Sequence, residues 1–293
     1  MCGIVGYIGS KRAYDILIQG LHRLEYRGYD SSGVAMISDA GELNIYKSKG
    51  KVEALEHFAQ NKDLSGAIGI AHTRWATHGE PNDINAHPHY SQSGRIALVH
   101  NGTIENYTVL KEALTQHGYS FVSQTDTEVA VQLIEYIMLT NNCSLFDAVA
   151  EATKRIVGAY AIAVVDRQNP NQIIAARQSS PLVIGVGEGE NFIASDIPAI
   201  INHTRRTFIM SDGEIATVTK DGVWVQDING TIGWHPPRIF VRIGFALCVE
   251  GGINCRVHAT IIAFGDGVVV LPECEPLRQV LIPMHRQGQL VDL

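Results

Sequence analysis

Cys2 is the residue of this sequence best suited to act as a nucleophile, because removal of Met1 would leave it at the N-terminus. The small side chain at position 2 favours that removal. A free α-amino group has an unperturbed pKa of about 7.7 to 8.0, so a useful fraction is neutral near neutral pH and can accept the thiol proton. Nucleophile and base would then belong to one residue. Alone, however, a cysteine after Met1 is weak support for catalysis, since free cysteine is also a common small core residue.

Five segments, in order along the chain, give Cys2 a context. They read CGIVG (residues 2–6), RLEYRGYDS (23–31), HTRWATHG (72–79), HNGTIEN (100–106) and SQTDTE (123–128). In this order they resemble the class II glutamine amidotransferases, and within that class the glucosamine-6-phosphate synthase type. The resemblance covers about residues 2–230. It implies an α+β fold, the four-layer αββα N-terminal-nucleophile sandwich, and hydrolysis of L-glutamine to glutamate and ammonia through a thioester at Cys2, with no metal or organic cofactor.

The resemblance also assigns a role to each polar group that glutamine requires. The substrate presents an α-carboxylate, an α-ammonium and a reactive amide, so its site needs a guanidinium, a carboxylate and a pair of donors. Arg74 would clamp the α-carboxylate, and Asp126 would hold the ammonium. Asn101 and Gly102 would form the oxyanion hole. Thr77 and His78 would assist Arg74. Arg27 would orient the terminal amine, and Trp75 would gate the path of the ammonia.

Each of these residues also has a plainer structural explanation. Arg74 could form a surface ion pair, Asn101 and Gly102 a hairpin turn, Asp126 a helix N-cap, and Trp75 part of the core. It is the ordered combination that favours catalysis.

Two other patterns are open to a chemical interpretation that we consider weaker. Histidines at positions 72, 78, 87, 89 and 100 suggest a metal site, but no acidic or thiol partner completes a ligand set, and we expect no metal. The SQSG segment at residues 91–94 resembles a sugar-phosphate-binding motif, and the glycine-rich segment at 185–189 resembles a phosphate-binding loop, but the sequence predicts a turn and a hairpin there.

The predicted elements mix strands and helices without a strict βαβ rhythm. Strands are predicted at residues 2–8, 33–37, 43–48, 67–73, 95–100, 159–165 and 172–176, and helices at 13–24, 107–117, 127–139 and 145–156. This order favours an α+β domain in which two sheets pack face to face under helical covers.

Composition excludes several function classes. The net charge of −7 comes from 30 acidic and 23 basic residues mixed along the chain, so no basic stripe predicts a nucleic-acid partner. The N-terminus does not have the pattern of a secretory signal, and no apolar stretch is long enough for a membrane span, which predicts a cytoplasmic location. Five cysteines without a Cys-x-x-Cys pair favour reduced thiols.

The amino-acid composition of the sequence changes near residue 232. The glutaminase domain is predicted at residues 2–232, whereas residues 233–293 contain no lysine and three of the five cysteines. No sugar-isomerase domain is recognisable there, and truncation or a frameshift would explain such a tail. Ammonia transfer to fructose 6-phosphate would then need a separate sugar-isomerase domain as a partner. The other expected partner is a second copy of this chain, in a homodimer. The alternatives left open are another class II amidotransferase, and a non-catalytic or decayed relative that binds glutamine.

Overall fold

The structure is a computed structural model that describes residues 2–76 and 79–227, together with the backbone of strands at 232–233, 244–248, 255–264 and 267–272. The helices are α1 (Ala13–Leu24), α2 (Val52–Ala59), α3 (Tyr107–Gln116), α4 (Asp126–Asn141) and α5 (Leu145–Arg155). The strands are β1 (Gly3–Ile8), β2 (Ser31–Ile37), β3 (Leu43–Lys49), β4 (Ile68–Arg74), β5 (His89–Tyr90), β6 (Ile96–Ile104), β7 (Gly158–Asp166), β8 (Ile173–Gln178), β9 (Val183–Val186), β10 (Asn191–Ala194), β11 (Thr207–Ile209), β12 (Glu214–Val218), β13 (Val223–Asp227), β14 (Ile232–Gly233), β15 (Gly244–Cys248), β16 (Cys255–Phe264) and β17 (Gly267–Pro272).

The strands form two seven-stranded sheets and one three-stranded sheet. The first sheet has the order β11-β9-β10-β1-β4-β2-β3, and the second β14-β13-β12-β8-β7-β6-β5. All the pairings between these strands are antiparallel. Strands β15, β16 and β17 make the third sheet. The predicted division at residue 232 falls within β14 and stays a prediction.

Alternating side chains on the two large sheets create three apolar layers. In β1, Ile4 and Ile8 point between the sheets, whereas Val5 and Tyr7 pack toward α1 and α2. In β6, Ala97 and Val99 likewise face the space between the sheets, and the opposite face packs against α3, α4 and α5. Helices therefore cover both outer faces, which confirms the predicted four-layer αββα sandwich.

Most predicted elements are confirmed to within a few residues. Helix α1 has its predicted bounds, residues 91–94 form a turn closed by Gly94 N–H donating to Ser91 C=O, and the segment around Gly187 joins β9 and β10 as a hairpin. Helix α2 was not predicted, since eight residues give little more than two turns of periodicity. No helix in the described part of the chain has the length and apolar character needed to cross a membrane.

Candidate active site

Cys2 lies just before β1, beside the end of β4. Its Sγ accepts a hydrogen bond from Trp75 N–H at 3.2 Å and lies 3.5 Å from Trp75 C=O. Burial raises the pKa of the Cys2 thiol, and the Trp75 hydrogen bond and the charge of Arg74 only partly oppose this. The thiol is therefore protonated at neutral pH and needs a base before it can attack.

Asn101 and Gly102 bring β6 to the backbone of Cys2. The Asn101 side chain is buried, and its Nδ2 donates to Cys2 C=O at 3.2 Å. Gly102 has a φ of 129°, and a Cβ there would lie 2.0 Å from Ala159 O. The strand predicted to end at residue 100 continues to Ile104, so both that end and the alternative of a hairpin turn at Asn101 and Gly102 were wrong.

Arg74 and Asp126 place opposite charges beside the thiol. The Arg74 side chain ends β4 and is buried, with Nη1 3.8 Å from Asp30 Oδ1 and Nη2 donating to Gly79 C=O at 3.3 Å. This burial contradicts the alternative of a surface ion pair. Asp126 is buried too, and its Oδ2 accepts from Ile104 N–H at 2.8 Å.

The alternative that Asp126 is a helix N-cap was also wrong by one residue. The N-cap of α4 is Thr125, whose side chain accepts from Glu128 N–H, and Asp126 is the first helical residue. Its carboxylate is thereby freed from the capping hydrogen bond.

Five of the predicted residues line one cavity: Cys2, Arg74, Trp75, Gly102 and Asp126. Its volume is about 20 Å³, whereas small-molecule sites usually measure about 300–1,000 Å³. A larger depression of about 530 Å³ lies beside the start of α1 and contains none of the predicted site residues.

Of the remaining assignments, Arg27 lies outside the cavity lining, Trp75 is an exposed part of that lining, and Thr77 and His78 cannot be placed. Arg27 Nη1 donates to Ser195 C=O at 3.2 Å, and Arg27 is not among the residues that line the cavity. Trp75 is 55% exposed, which contradicts the alternative of a core aromatic, and its ring covers Gly28 so closely that a Cβ there would lie 2.4 Å from it. Thr77 and His78 lie outside the described residues.

Asp30 organises the site, although the sequence assigned it no role. Its N–H donates to Arg74 C=O at 2.7 Å, and its carboxylate accepts from Ala76 N–H and from Ser31 Oγ. Asp30 therefore fixes the backbone on both sides of Trp75. The residue belongs to the segment at 23–31, but its partners Arg74 and Ala76 are more than 40 residues away, and only the pairing of β2 with β4 brings them together.

Three histidines form a buried cluster under the site. The His87 ring lies 4.3 Å from that of His72 and 4.9 Å from that of His89, measured between centroids. Burial is the main cause that lowers the pKa of His72 to about 3 and those of His87 and His89 well below the usual range. Within the described residues, no group of three or more His, Cys, Asp or Glu side chains has an arrangement that would hold a metal ion.

Several known proteins are similar in sequence to this chain. Residues 72–202 match the family described as "Glutamine amidotransferase domain". The glutamine–fructose-6-phosphate aminotransferase (isomerizing) of Bacteroides thetaiotaomicron is 61% identical over 220 residues, which cover 75% of this chain and 36% of that protein. That of Thermus thermophilus is 52% identical over 230 residues, covering 78% and 37%.

Solved structures show the same fold. Glutamine phosphoribosylpyrophosphate amidotransferase from B. subtilis aligns with a TM-score of 0.66 and 28% identity, over 79% of this chain and 50% of that one. The glutamine aminotransferase class-II domain protein of Silicibacter pomeroyi aligns at 0.53 with 15% identity, over 77% and 99%, which shows the fold alone.

The fold and these matches show that the chain contains a class II glutamine amidotransferase domain with the N-terminal-nucleophile sandwich. This domain is homologous to the N-terminal region of glutamine–fructose-6-phosphate aminotransferase. The matched region spans little more than a third of those curated relatives, 36% and 37% of their length in the two cases above.

Proposed function

We propose that this chain hydrolyses the side-chain amide of L-glutamine with Cys2 as N-terminal nucleophile, and that the ammonia serves the synthesis of an amino sugar phosphate from fructose 6-phosphate. The observation that carries the proposal is the single cavity lined by Cys2, Arg74, Gly102 and Asp126. These residues come from four separate parts of the sequence. Their convergence supplies a thiol, a cation, an anion and a strand backbone within one small volume.

The burial of Cys2 explains why its own amine should be the base. A protonated thiol is a poor nucleophile, and after removal of Met1 the α-amine lies on the same residue and can accept its proton. The thiolate attacks the amide carbon, and the tetrahedral intermediate expels ammonia as the proton passes to the leaving nitrogen. Water then cleaves the thioester, which releases glutamate and restores the thiol.

The oxyanion hole would use Asn101 Nδ2 and Gly102 N–H. The Asn101 amide carries two N–H donors, and Cys2 C=O engages one of them, which leaves the second for the oxyanion. An amide held against the backbone of the nucleophile is positioned before the substrate arrives.

Substrate recognition would rest on the two buried charges. Arg74 would bind the α-carboxylate with help from Thr77 and His78, and Asp126 would bind the α-ammonium. Arg27 would orient the N-terminal amine through the segment at Ser195, which exchanges backbone and side-chain hydrogen bonds with Ile4.

We assign fructose 6-phosphate as the acceptor of the ammonia. These relatives are named for fructose 6-phosphate, which supports amination of that sugar by a separate sugar-isomerase domain or within a homodimer. We place the reaction in the cytoplasm. Identities of 61% and 52% to these proteins, against 28% to the phosphoribosylpyrophosphate amidotransferase, favour this acceptor over other class II acceptors. Trp75 would lie on the path of ammonia out of the cavity.

The test is glutamate release from glutamine by the purified chain after a mass spectrum has established that Met1 is absent. We expect Cys2→Ala to release no glutamate above the protein-free background. Cys143→Ala, which removes the other free cysteine in the described part of the chain, should keep the rate of the unmodified protein.

Two outcomes would redirect the proposal. Folded protein that lacks Met1 and binds glutamine without cleaving it would indicate a non-catalytic glutamine-binding relative. Formation of an amino sugar phosphate when fructose 6-phosphate is added to the chain alone would show that no separate acceptor domain is needed.

A further inference from the structure

His72 and Asn101 meet in the middle of the sandwich. His72 lies on β4 between Gly33 of β2 and Ile4 of β1, and strand alternation puts it on the face that meets the second sheet. Asn101 is on the corresponding face of β6. Both side chains are buried, and His72 Nε2 lies 2.9 Å from Asn101 Oδ1.

The orientation of the Asn101 amide follows from its two partners. Cys2 C=O can only accept a hydrogen bond, so the amide nitrogen faces it and the amide oxygen faces His72. An amide oxygen can only accept as well, so His72 must donate from Nε2. The backbone of His100 also interacts with the ring, but no group meets hydrogen-bond geometry at His72 Nδ1 within the described residues, so the proton on Nε2 is assigned from Asn101 alone.

The surroundings of His72 preserve this arrangement. The His87 ring packs against it at 4.3 Å, and the charge of Arg74 opposes a second positive charge nearby. The ring therefore has one neighbour that fixes its plane and one hydrogen bond that fixes its rotation.

We infer that His72 is a positioning residue for the oxyanion hole: its Nε2–H holds Asn101 Oδ1, so that Asn101 Nδ2 stays directed at Cys2. The inference rests on the proposed function. Rotation about the last bond of an asparagine side chain has broad, roughly two-fold preferences, so an amide with only one anchor can turn its oxygen toward the nucleophile. An oxygen at that position would repel the oxyanion instead of donating to it.

Loss of the His72 hydrogen bond should lower turnover and leave glutamine binding nearly unchanged. Loss of one oxyanion donor lowers kcat by about 10²–10³-fold in other enzymes. We expect His72→Leu to lower kcat for glutamine hydrolysis by about 10²-fold, with less than a threefold change in KM. His72→Gln can place an amide N–H near the position of Nε2, and we expect it to recover at least tenfold of that loss.

Three controls make the test specific. Asn101→Ala should lower kcat as much as His72→Leu or more, and the double variant should be no slower than Asn101→Ala alone, because both changes remove one function. The rate at which iodoacetamide alkylates Cys2 should be equal in all of these proteins, since alkylation needs no oxyanion hole. His203→Gln changes a histidine that stacks on Phe192 in another layer, and it should leave kcat unchanged.

A binding experiment reads out the oxyanion directly. An aldehyde analogue of glutamine adds the Cys2 thiol to form a tetrahedral hemithioacetal, whereas glutamate binds without that oxyanion. We expect His72→Leu to weaken the aldehyde at least tenfold and glutamate less than threefold.

Equal kcat for His72→Leu and the unmodified protein, equal losses for the leucine and glutamine variants, or additive losses in the double variant would overturn the inference. If the leucine variant does not fold, His72→Met fills the space without a donor and is subject to the same criteria. Absence of glutamate release by the unmodified chain would instead refute the proposed function, because His72 is unchanged in that measurement.

Discussion

Gly102 shows how closely the site residues are tied to the backbone around them. Its φ of 129° is disfavoured for residues with a side chain, and the backbone oxygen of Ala159 occupies the place where a Cβ would stand. Gly102 lines the same cavity as Cys2. Conformational freedom and lack of a side chain are both required here.

We therefore expect Gly102→Ala to lower the free energy of unfolding by more than about 3 kcal/mol and to abolish glutamate release. Gly94→Ala is the matched control, since Gly94 also has a positive φ, of 70°, but nothing lies within 4 Å of its added Cβ. That variant should cost only about 1 kcal/mol and keep full activity. Urea unfolding followed by circular dichroism measures both, and equal losses would show that the Ala159 contact is unimportant.

Among the site residues, the sequence predicted those that belong to the ordered motifs. Cys2, Arg74 and Asp126 were predicted to lie at one site, and they line one cavity. Asp30 and His72 received no individual role, because their partners are contributed by other strands. The spacing of residues within one motif cannot predict a contact between β2 and β4, or a contact between the two sheets.

At the scale of elements, the N-terminus of α4 positions the ammonium-binding carboxylate of the proposal. Thr125 caps the helix, His89 Nε2 lies 3.0 Å from Thr125 Oγ1, and Glu128 reaches back to accept from Val122 and Ser123 N–H. This is a capping arrangement that extends into the segment before the helix. It places Asp126 in the first turn with its carboxylate directed at β6.

We expect Thr125→Ala to destabilise the protein by about 1 kcal/mol and to raise KM for glutamine several-fold, because the first turn of α4 carries Asp126. Ser144→Ala removes the equivalent cap of α5, where Ser144 accepts from Asp147 N–H outside the cavity lining. It should lose similar stability and keep KM. Parallel unfolding and kinetic measurements test this, and a KM that rises equally in both variants would contradict the role of the cap.

The elements were largely predictable because each carries its own period, whereas their ends were not. The end of β6 was set too early, at residue 100, since Asn101 and Gly102 are typical turn residues. The strand continues because its partner β7 supplies backbone hydrogen bonds as far as Gly158, opposite Ile104. Pairing across the sheet thus overrides local preference.

At the scale of the whole molecule, the layer between the two sheets is apolar except at one end, next to the candidate active site, where buried polar side chains lie. His72, His87 and His89 occupy that end, near the cations Arg74 and Lys47. Burial of three neutral histidines links the stability of the sandwich to pH. In the folded state their pKa values are lowered, whereas an unfolded histidine has a pKa of about 6.5.

The sign of this linkage follows from proton uptake. Below about pH 6.5 the histidines bind protons in the unfolded chain but stay neutral in the folded one. The stability they contribute is therefore present above that pH. It is lost as the pH falls toward about 3, the pKa of His72 in the folded state. Each histidine contributes a slope of about 1.4 kcal/mol per pH unit, or about 4 kcal/mol per unit for three. The sandwich therefore loses stability steadily as the pH falls below about 6.5.

Urea unfolding at pH 7.5, 6.5, 5.5 and 5.0 tests this expectation. His87→Phe keeps an aromatic ring beside His72 and removes one titrating group, so it should reduce the slope below pH 6 by about a third, whatever it does to stability at pH 7.5. His57→Gln, at an exposed position on α2, is the control and should keep the full slope. A slope that does not change in His87→Phe would mean that carboxylates, and not the buried histidines, govern acid unfolding of this sandwich.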